Sequence, residues 1–374
     1  MKLGIGIPNY NRSGDVCSTV KAALNQTRSA DELIVLDNAS TDNSIDRLQS
    51  EFGKRIDLIA SPTNGGSSGG FSQLSSELVR RSCDIIVLLD SDCFLKPDAV
   101  EQMLKVLETD PRVGICGARI MHADRPEIIQ ECGAYLDWQT ATFQLNRKDQ
   151  PVTKDTELPL VEFVDYVPAC ALAARKEVFQ EIGHFDTEFF IYFDDIEWCH
   201  RAGKNEYKVA VANRAEAHHV GGGKVKTNHF STYYFWRNRF RFYPENAPNR
   251  KALFDYLISN AARAIATSET LGQSNSATII REALHDALKG TFGPKDFNGI
   301  SLALDQPAKC LLAGEIDAKC HEVEHIFDPT TLPDDSVLED PFGKQILAAT
   351  ANSLRDSFLK NLQIIENELK SLNS

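Results

Sequence analysis

The stretch IIVLLDSDCF, residues 85–94, decides how the chain is read. Five apolar residues bounded by Asp84 and Asp90 are far short of the ~18 a bilayer span needs. They suit a strand buried on both faces of a parallel sheet. The same rhythm continues outward. Apolar runs at 3–7, 33–36, 56–59 and 113–116 predict further strands, and amphipathic segments at 15–26, 42–52, 70–81 and 98–108 predict helices between them. Thr41-Asp42 and Pro97-Asp98 supply helix starts. This alternation predicts an α/β fold, a Rossmann-like sheet with helices on both faces. Ligands of such sheets bind beyond the carboxyl ends of the strands, where the unusual residues of this chain fall.

The order loosens over 121–160, a polar stretch that reads as a loop or a small antiparallel excursion. It resumes with an apolar run over 161–174, a helix over 176–182 and a strand over 208–212. After Pro248 helix-like segments prevail, so a mainly α-helical C-terminal region is expected. There Leu347, Ala351, Leu354, Phe358, Leu362, Ile365, Leu369 and Leu372 recur at steps of 3 and 4, one apolar stripe on a helix of about seven turns. Packing on its own domain competes with an oligomer seam or an interfacial membrane helix. A chain of 374 residues, at ~150 per domain, predicts one large domain and an appendage; the division is expected at 1–245 and 246–374.

Forty Lys+Arg against 53 Asp+Glu leave a net charge of −13. That balance argues against a nucleic-acid binder and against adhesion to anionic lipid by net charge. The N-terminal MKLGIGIPNYNR has too short an apolar stretch for a secretory signal. Nine scattered cysteines without a CxxC read as reduced thiols of a cytoplasmic protein.

Asp90-Ser91-Asp92 closes the central strand with carboxylates at i and i+2, on one side of the chain if it stays extended. Two such charges repel unless a cation or donor separates them. Oxygen ligands suit Mg²⁺ or Mn²⁺, which bridge protein carboxylates and substrate phosphates; a solvated turn with two nearby acids is the competing reading. Asp37, in VLDNASTDNS, also ends a strand, where a carboxylate either caps the following helix or accepts hydrogen bonds from a base or ribose. TNGGSSGGF, residues 63–71, reads as a glycine-rich loop whose N–H groups approach a phosphate, or as a turn only. It is neither the dinucleotide fingerprint nor a P-loop.

FFIYFDDIEWCHRAG, residues 189–203, sets Asp194, Asp195 and Glu197 after a run of aromatics. Acids in a helix's first turn are favoured there anyway, but an apolar cleft is also where a carboxylate is tuned as a general base. Cys199 and His200 diverge on a helix, which excludes a thiol–imidazole pair. His218 and His219 precede three glycines on what reads as a loop after a strand, a plausible ligand position. YYFWRNRFRFY, residues 233–243, carries seven aromatics and three arginines. It suits phosphate or lipid-interface contact, or a partly buried amphipathic helix.

Taken in order, IPNYNR (7–12), LDNASTD (36–42), NGGSSGG (64–70), LLDSD (88–92), FDDIEWCHRA (193–202) and HHVGG (218–222) resemble the family 2 inverting glycosyltransferases of the GT-A fold. NxGxxGG, FDDxE and YYFWRN make the chain most similar to the bacterial rhamnosyl- and galactofuranosyltransferase branch. The resemblance implies that Asp37 holds a uracil or thymine, with Pro8 and Tyr10 lining that pocket. It puts Asn64, Gly65, Asp90 and Ser91 on the donor nucleotide and Asp92 on a Mg²⁺ or Mn²⁺ that meets the diphosphate. His219 is implied as a further metal ligand, with His218 competing for that place. Asp195 is implied as catalytic base, and Asp194, Glu197 and Trp198 as acceptor or sugar contacts. His200 departs from relatives, which carry an apolar or small residue there.

The activity so implied moves galactofuranose or rhamnose from a UDP- or dTDP-sugar to a hydroxyl of a growing bacterial surface glycan, such as an O-antigen, or of a glycolipid. UDP-glucose, UDP-galactose or UDP-GlcNAc as donor, or a non-catalytic sugar-nucleotide-binding scaffold, are the alternatives; a nicotinamide oxidoreductase is opposed by the missing fingerprint. Cytoplasmic location, peripheral contact with the inner face of the cell membrane and homo-oligomerisation through the C-terminal helices complete the expectations.

Overall fold

The computed structural model describes residues 1–152, 158–221, 228–305, 320–322, 330, 337–339 and 346–372. The chain forms two compact units, one of residues 1–137 with 142–225 and one of 138–141 with 226–374.

The first unit opens with β1 (Leu3–Asn9), α1 (Ser13–Leu24), β2 (Glu32–Asp37), α2 (Ser44–Phe52), β3 (Asp57–Ala60), α3 (Gly66–Arg80) and β4 (Ile85–Leu89). Then come β5 (Cys93–Leu95), α4 (Ala99–Thr109), β6 (Val113–His122), β7 (Ile129–Glu131), β8 (Ala134–Asp137) and β9 (Thr142–Leu145). The unit closes with β10 (Val161–Val164), β11 (Ala171–Arg175), α5 (Lys176–Ile182), α6 (Asp194–Lys204) and β12 (Lys208–His219).

One sheet runs β10-β12-β6-β11-β4-β1-β2-β3, with β5 on β12 and β7 on β6. The pairs β4–β1, β1–β2, β2–β3 and β12–β6 are parallel, whereas β11 lies antiparallel between β4 and β6. β4 is apolar and buried along its whole length, and Ile5 and Ile7 of β1 are fully buried beside it, as a sheet covered on both faces requires. The observed class is the expected α/β sheet, followed along the chain by a mainly helical stretch.

Three departures from the sequence reading matter for the site. First, α3 begins at Gly66 instead of residue 70, so the glycines form its first turn and not a loop. Second, β12 does not stop at residue 212 but runs to His219; a register shift between Ala212 and Glu216 absorbs the polar stretch that hid its continuation. Third, 121–160 is the antiparallel excursion of the two alternatives: β6 extends to His122, β7 turns back on it, and β8 and β9 form a hairpin.

The second unit contains α7 (Phe230–Asn246), α8 (Arg250–Thr270), α9 (Ser274–Leu288), the short strands β13 (Cys320–Glu322), β14 (Val337–Glu339) and β15 (Ile346–Thr350), and α10 (Ala351–Leu372). The apolar stripe therefore starts in a strand, at Leu347, and only then becomes helical. Leu354, Phe358 and Ile365 are buried and Leu372 is exposed; the side chains of Leu347 and Ala351 lie outside the described residues. The buried part of the stripe packs within its own unit: Asn361 donates to Glu269 of α8 (2.8 Å) and accepts from Arg281 of α9 (2.8 Å).

The aromatic–arginine stretch is α7, and Arg237 and Arg239 are buried in it. Arg237 donates to Gly293 O (2.6 Å), and Arg239 to the carbonyls of Thr140 and Ala141 (both 2.7 Å) and to Asn260 (2.7 Å). These two guanidiniums face protein carbonyls and rings, so the buried-helix alternative describes them. No described helix is long and apolar enough to cross a membrane.

Candidate active site

The carboxyl ends of β1, β2 and β4 and the end of β12 meet at one edge of the sheet. After Leu89 the chain turns, with Cys93 N–H donating to Asp90 O (3.2 Å), before β5 pairs antiparallel with β12. In that register His219 stands opposite Cys93, which brings Asp92 beside the imidazole. Val220 N–H donates to Asp92 O (3.1 Å), and Thr19 Oγ1 of α1 donates to Ser91 O (2.8 Å). The turn is thus fixed from both sides.

Asp90, Asp92 and His219 each offer a ligand atom within 4.8 Å of the others. His219 Nε2 lies 3.5 Å from Asp92 Oδ1 and 3.7 Å from Asp90 Oδ2. Strand alternation decides between the two histidines. His218 points the other way and bonds Glu216 Oε1 (2.7 Å), itself paired to the buried Arg119 (2.8 Å). A residue absent from the expected set joins the cluster: Arg12, at the end of the IPNYNR motif, sets its Nη1 2.7 Å from Asp92 Oδ2.

The charges shape one another. Burial alone would lower His219, but the contact with Asp92 and the nearby charges of Asp90 and Asp92 push it up to about 9. Burial raises Asp92 less than His219 and Arg12 lower it, so it stays below the usual carboxylate range. Asp90 is held above that range by burial and by repulsion from Asp92 and Asp195, against the pull of His219 and Arg12.

Asp195 opens α6. Its Oδ2 accepts from Ala169 N–H (3.3 Å) and its Oδ1 from Ile196 N–H (2.9 Å). Burial raises it to about 6, those two donors restraining the rise. Asp194 is buried beside it, accepts from Ser67 Oγ (2.9 Å), and is raised well above the usual range by burial and by Asp195. Glu131, at the end of β7, is a second residue the sequence reading missed. It accepts from Tyr166 OH (3.2 Å), and burial together with the charge of Asp195 pushes it up to about 8.

The segment before α6 is held in a rare backbone conformation: Phe190, Tyr192 and Phe193 all have φ between 64° and 67°. Such strain persists only where surroundings enforce it. The enforcement comes from α3, whose Ser68 N–H donates to Phe190 O (3.2 Å). A Cβ on Gly66, at φ +71°, would stand 1.9 Å from Phe190 O, and one on Gly70 would stand 2.8 Å from Pro8 Cβ. The glycines therefore dock α3 against the end of β1 on one side and the segment before α6 on the other. Gly66→Ala is expected to cost roughly 2–4 kcal/mol, read as a lowered denaturant midpoint, because the backbone conformation and the space both exclude a methyl group.

The remaining expected residues sit as follows. Asp37 is buried and accepts from Ser40 N–H (2.8 Å) and Asn9 Nδ2 (3.1 Å); Asn38 accepts from Gly65 N–H (2.9 Å) and donates to Gly66 O (2.9 Å). Asn64 Oδ1 accepts from Gly66 N–H (2.9 Å). Pro8 backs this corner and Tyr10 is exposed beside it. Glu197 is clamped by Arg201 (2.7 and 2.8 Å). Trp198, expected against an acceptor, is a core residue: fully buried, stacked on Phe179 (4.6 Å) and Phe185 (4.9 Å), with Nε1 bonded to Gly183 O.

With this geometry in hand, comparison with known proteins is direct. Residues 5–183 match glycosyl transferase family 2. The galactofuranosyltransferase GlfT2 of Mycolicibacterium smegmatis is 24% identical over 262 residues, 63% of this chain and 40% of that protein. GlfT2 of Mycobacterium tuberculosis is 22% identical over 314 residues, 77% of this chain and 48% of that protein. The chain thus spans less than half the length of either relative. A crystal structure of GalNAc-T7 with UDP, GalNAc and Mn²⁺ superposes with a TM-score of 0.49 at 13% identity, over 71% of this chain and 57% of that one. Asp195 and His219 lie beyond the matched stretch and are joined to it by the sheet register and by α3. The strands, glycines and acid turn of residues 5–183 are those of a glycosyl transferase family 2 domain, and this chain carries one.

Proposed function

We propose that this chain is an inverting, metal-dependent glycosyltransferase that moves a sugar, galactofuranose foremost, from a nucleoside diphosphate donor to an acceptor hydroxyl of a bacterial surface glycan or glycolipid. The observation that carries the reading is the convergence of Asp90, Asp92 and His219 at one edge of the sheet, within the electrostatic reach of Asp195. The galactofuranose preference rests on the names of the two relatives; rhamnose from a dTDP donor is the second choice.

The residues fit a divalent cation. Asp92 Oδ2 is buried without a hydrogen-bond partner, and a Cβ on Gly221 would stand 2.7 Å from His219 Nε2 and 3.3 Å from Asp92 Oδ2, so glycine keeps that space open. Mg²⁺ or Mn²⁺ held by Asp92 and His219 would supply Lewis-acid stabilisation of the departing diphosphate. Asp37, with Pro8 and Tyr10, holds the base, and Asn64, Gly65, Asp90 and Ser91 face the rest of the donor. Asp195 takes the proton from the acceptor hydroxyl as that oxygen attacks the anomeric carbon from the side opposite the leaving group. Asp194 and Glu197 bound the acceptor side. Residues 1–245 carry this chemistry, and residues 246–374 serve the acceptor, self-association or peripheral membrane contact from the cytoplasmic side.

A melting panel of UDP- and dTDP-sugars, each with and without Mn²⁺, tests the reading. One donor is expected to raise the midpoint only when metal is present, because a ligand of the folded state stabilises it by mass action. No shift with any nucleotide sugar would sink it.

A further inference from the structure

We propose that Arg12 is an internal counter-ion that neutralises Asp92 until a divalent cation takes its place, and that Asp15 is the seat to which Arg12 then withdraws. The inference rests on the metal-dependent reading above. Arg12 stands at the junction of β1 and α1, and Asp15 lies in the first turn of α1. One nitrogen, Arg12 Nη1, lies 2.7 Å from Asp92 Oδ2 and 3.0 Å from Asp15 Oδ2.

The two contacts differ in kind. Toward Asp15 the guanidinium makes a hydrogen bond, whereas Asp92 Oδ2 has no hydrogen-bond partner although the cation is so near. Arg12 is bonded to Asp15 and only leans, by charge, on Asp92. Their surroundings differ too: Asp92 is 7% exposed and Asp15 36%. A buried carboxylate is costly without counter-charge, and in the metal-free site Arg12 supplies it together with His219. A divalent ion offers twice the charge, and Asp92 exchanges partners.

Arg12 then stays tethered by Asp15 one helical turn away, beside the place where the donor diphosphate meets the metal. A guanidinium is well matched to phosphate oxygens. The same side chain thus opposes metal binding when no nucleotide is present and supports it once a diphosphate arrives. Metal and donor are thereby coupled, each strengthening the other's binding by the same factor.

The test is calorimetric titration of the full chain with MnCl₂, alone and then with UDP present. Wild type is compared with Arg12→Gln, Asp15→Asn, Asp92→Ala and Lys21→Gln. The last removes a positive charge farther along α1 and sets the size of the general charge effect. Arg12→Gln is expected to bind Mn²⁺ alone about ten-fold more tightly than wild type, since the competitor for Asp92 is gone, and to gain less from UDP. Asp15→Asn, an isosteric change at a half-buried site, is expected to weaken Mn²⁺ binding because Arg12 loses its second seat. An Arg12→Gln affinity no tighter than that of Lys21→Gln, with binding still lost in Asp92→Ala, would overturn this inference and leave the metal reading intact. No Mn²⁺ binding by wild type, with or without UDP, would overturn both.

Discussion

Asp195→Asn is expected to slow turnover by about 10²–10⁴-fold, the range a positioned general base contributes, while the donor is still bound. The substitution keeps the shape of the side chain but only one of its two backbone hydrogen bonds, because Ala169 and Ile196 donate to different oxygens and an amide offers one acceptor. It removes the ability to take a proton. The carboxyl is raised to about 6, so it is a competent base above that pH and a spent one below. In wild type, kcat/KM should therefore rise as pH increases through about 6 and then level. The stability consequence has the opposite sign. A carboxyl raised on folding from 3.8 contributes stability that is full below about 4 and lost as pH climbs through about 6. Above pH 6 the amide variant escapes the burial penalty on the charge, which offsets the bond it loses, so it should melt close to wild type and thereby separate lost chemistry from lost fold. Unchanged turnover would remove Asp195 from the base role.

Asp92→Ala is the second large effect: a loss of about a thousand-fold or more in turnover, together with loss of Mn²⁺-dependent thermal stabilisation. The two readouts belong together because Asp92 is the most enclosed oxygen ligand of the cluster and the one that both Arg12 and His219 face. A variant that lost turnover but kept the full metal-dependent shift would move the ion to Asp90 and His219 alone. A variant that kept both would dissolve the site as described.

Most of the fold was legible in the sequence because burial on both faces writes a strand as an unbroken apolar run. Ile85–Leu89 and Leu33–Leu36 could be read in no other way. The acid turn was legible for the converse reason, since Asp90 and Asp92 interrupt that apolarity at the strand's end. What remained hidden depended on pairing at long range. The polar residues Asn213, Arg214 and Glu216 concealed the rest of β12, because a bulge has no mark in composition. Glu131 and Arg12 are single charged residues in ordinary surroundings, and only folding brings them to Asp195 and Asp92. Trp198 misled for a related reason. The resemblance set it among the acceptor contacts, but its partners Phe179 and Phe185 lie well upstream and draw it into the core.

The docking of α3 onto the strained segment before α6 also governs when the cleft can exist. Gly66 and Phe190 meet across more than a hundred residues, and the bond from Ser67 to Asp194 closes a separation of 127 positions. Closure of so long a loop is entropically slow and comes after local strands and helices have formed. During synthesis Gly66 leaves the ribosome long before Phe190, so α3 can dock only once the aromatic segment has followed. Asp195 emerges with that segment and His219, at the end of β12, emerges after it, so the acid cluster and the carboxylate of α6 come together only when nearly the whole first unit has been made.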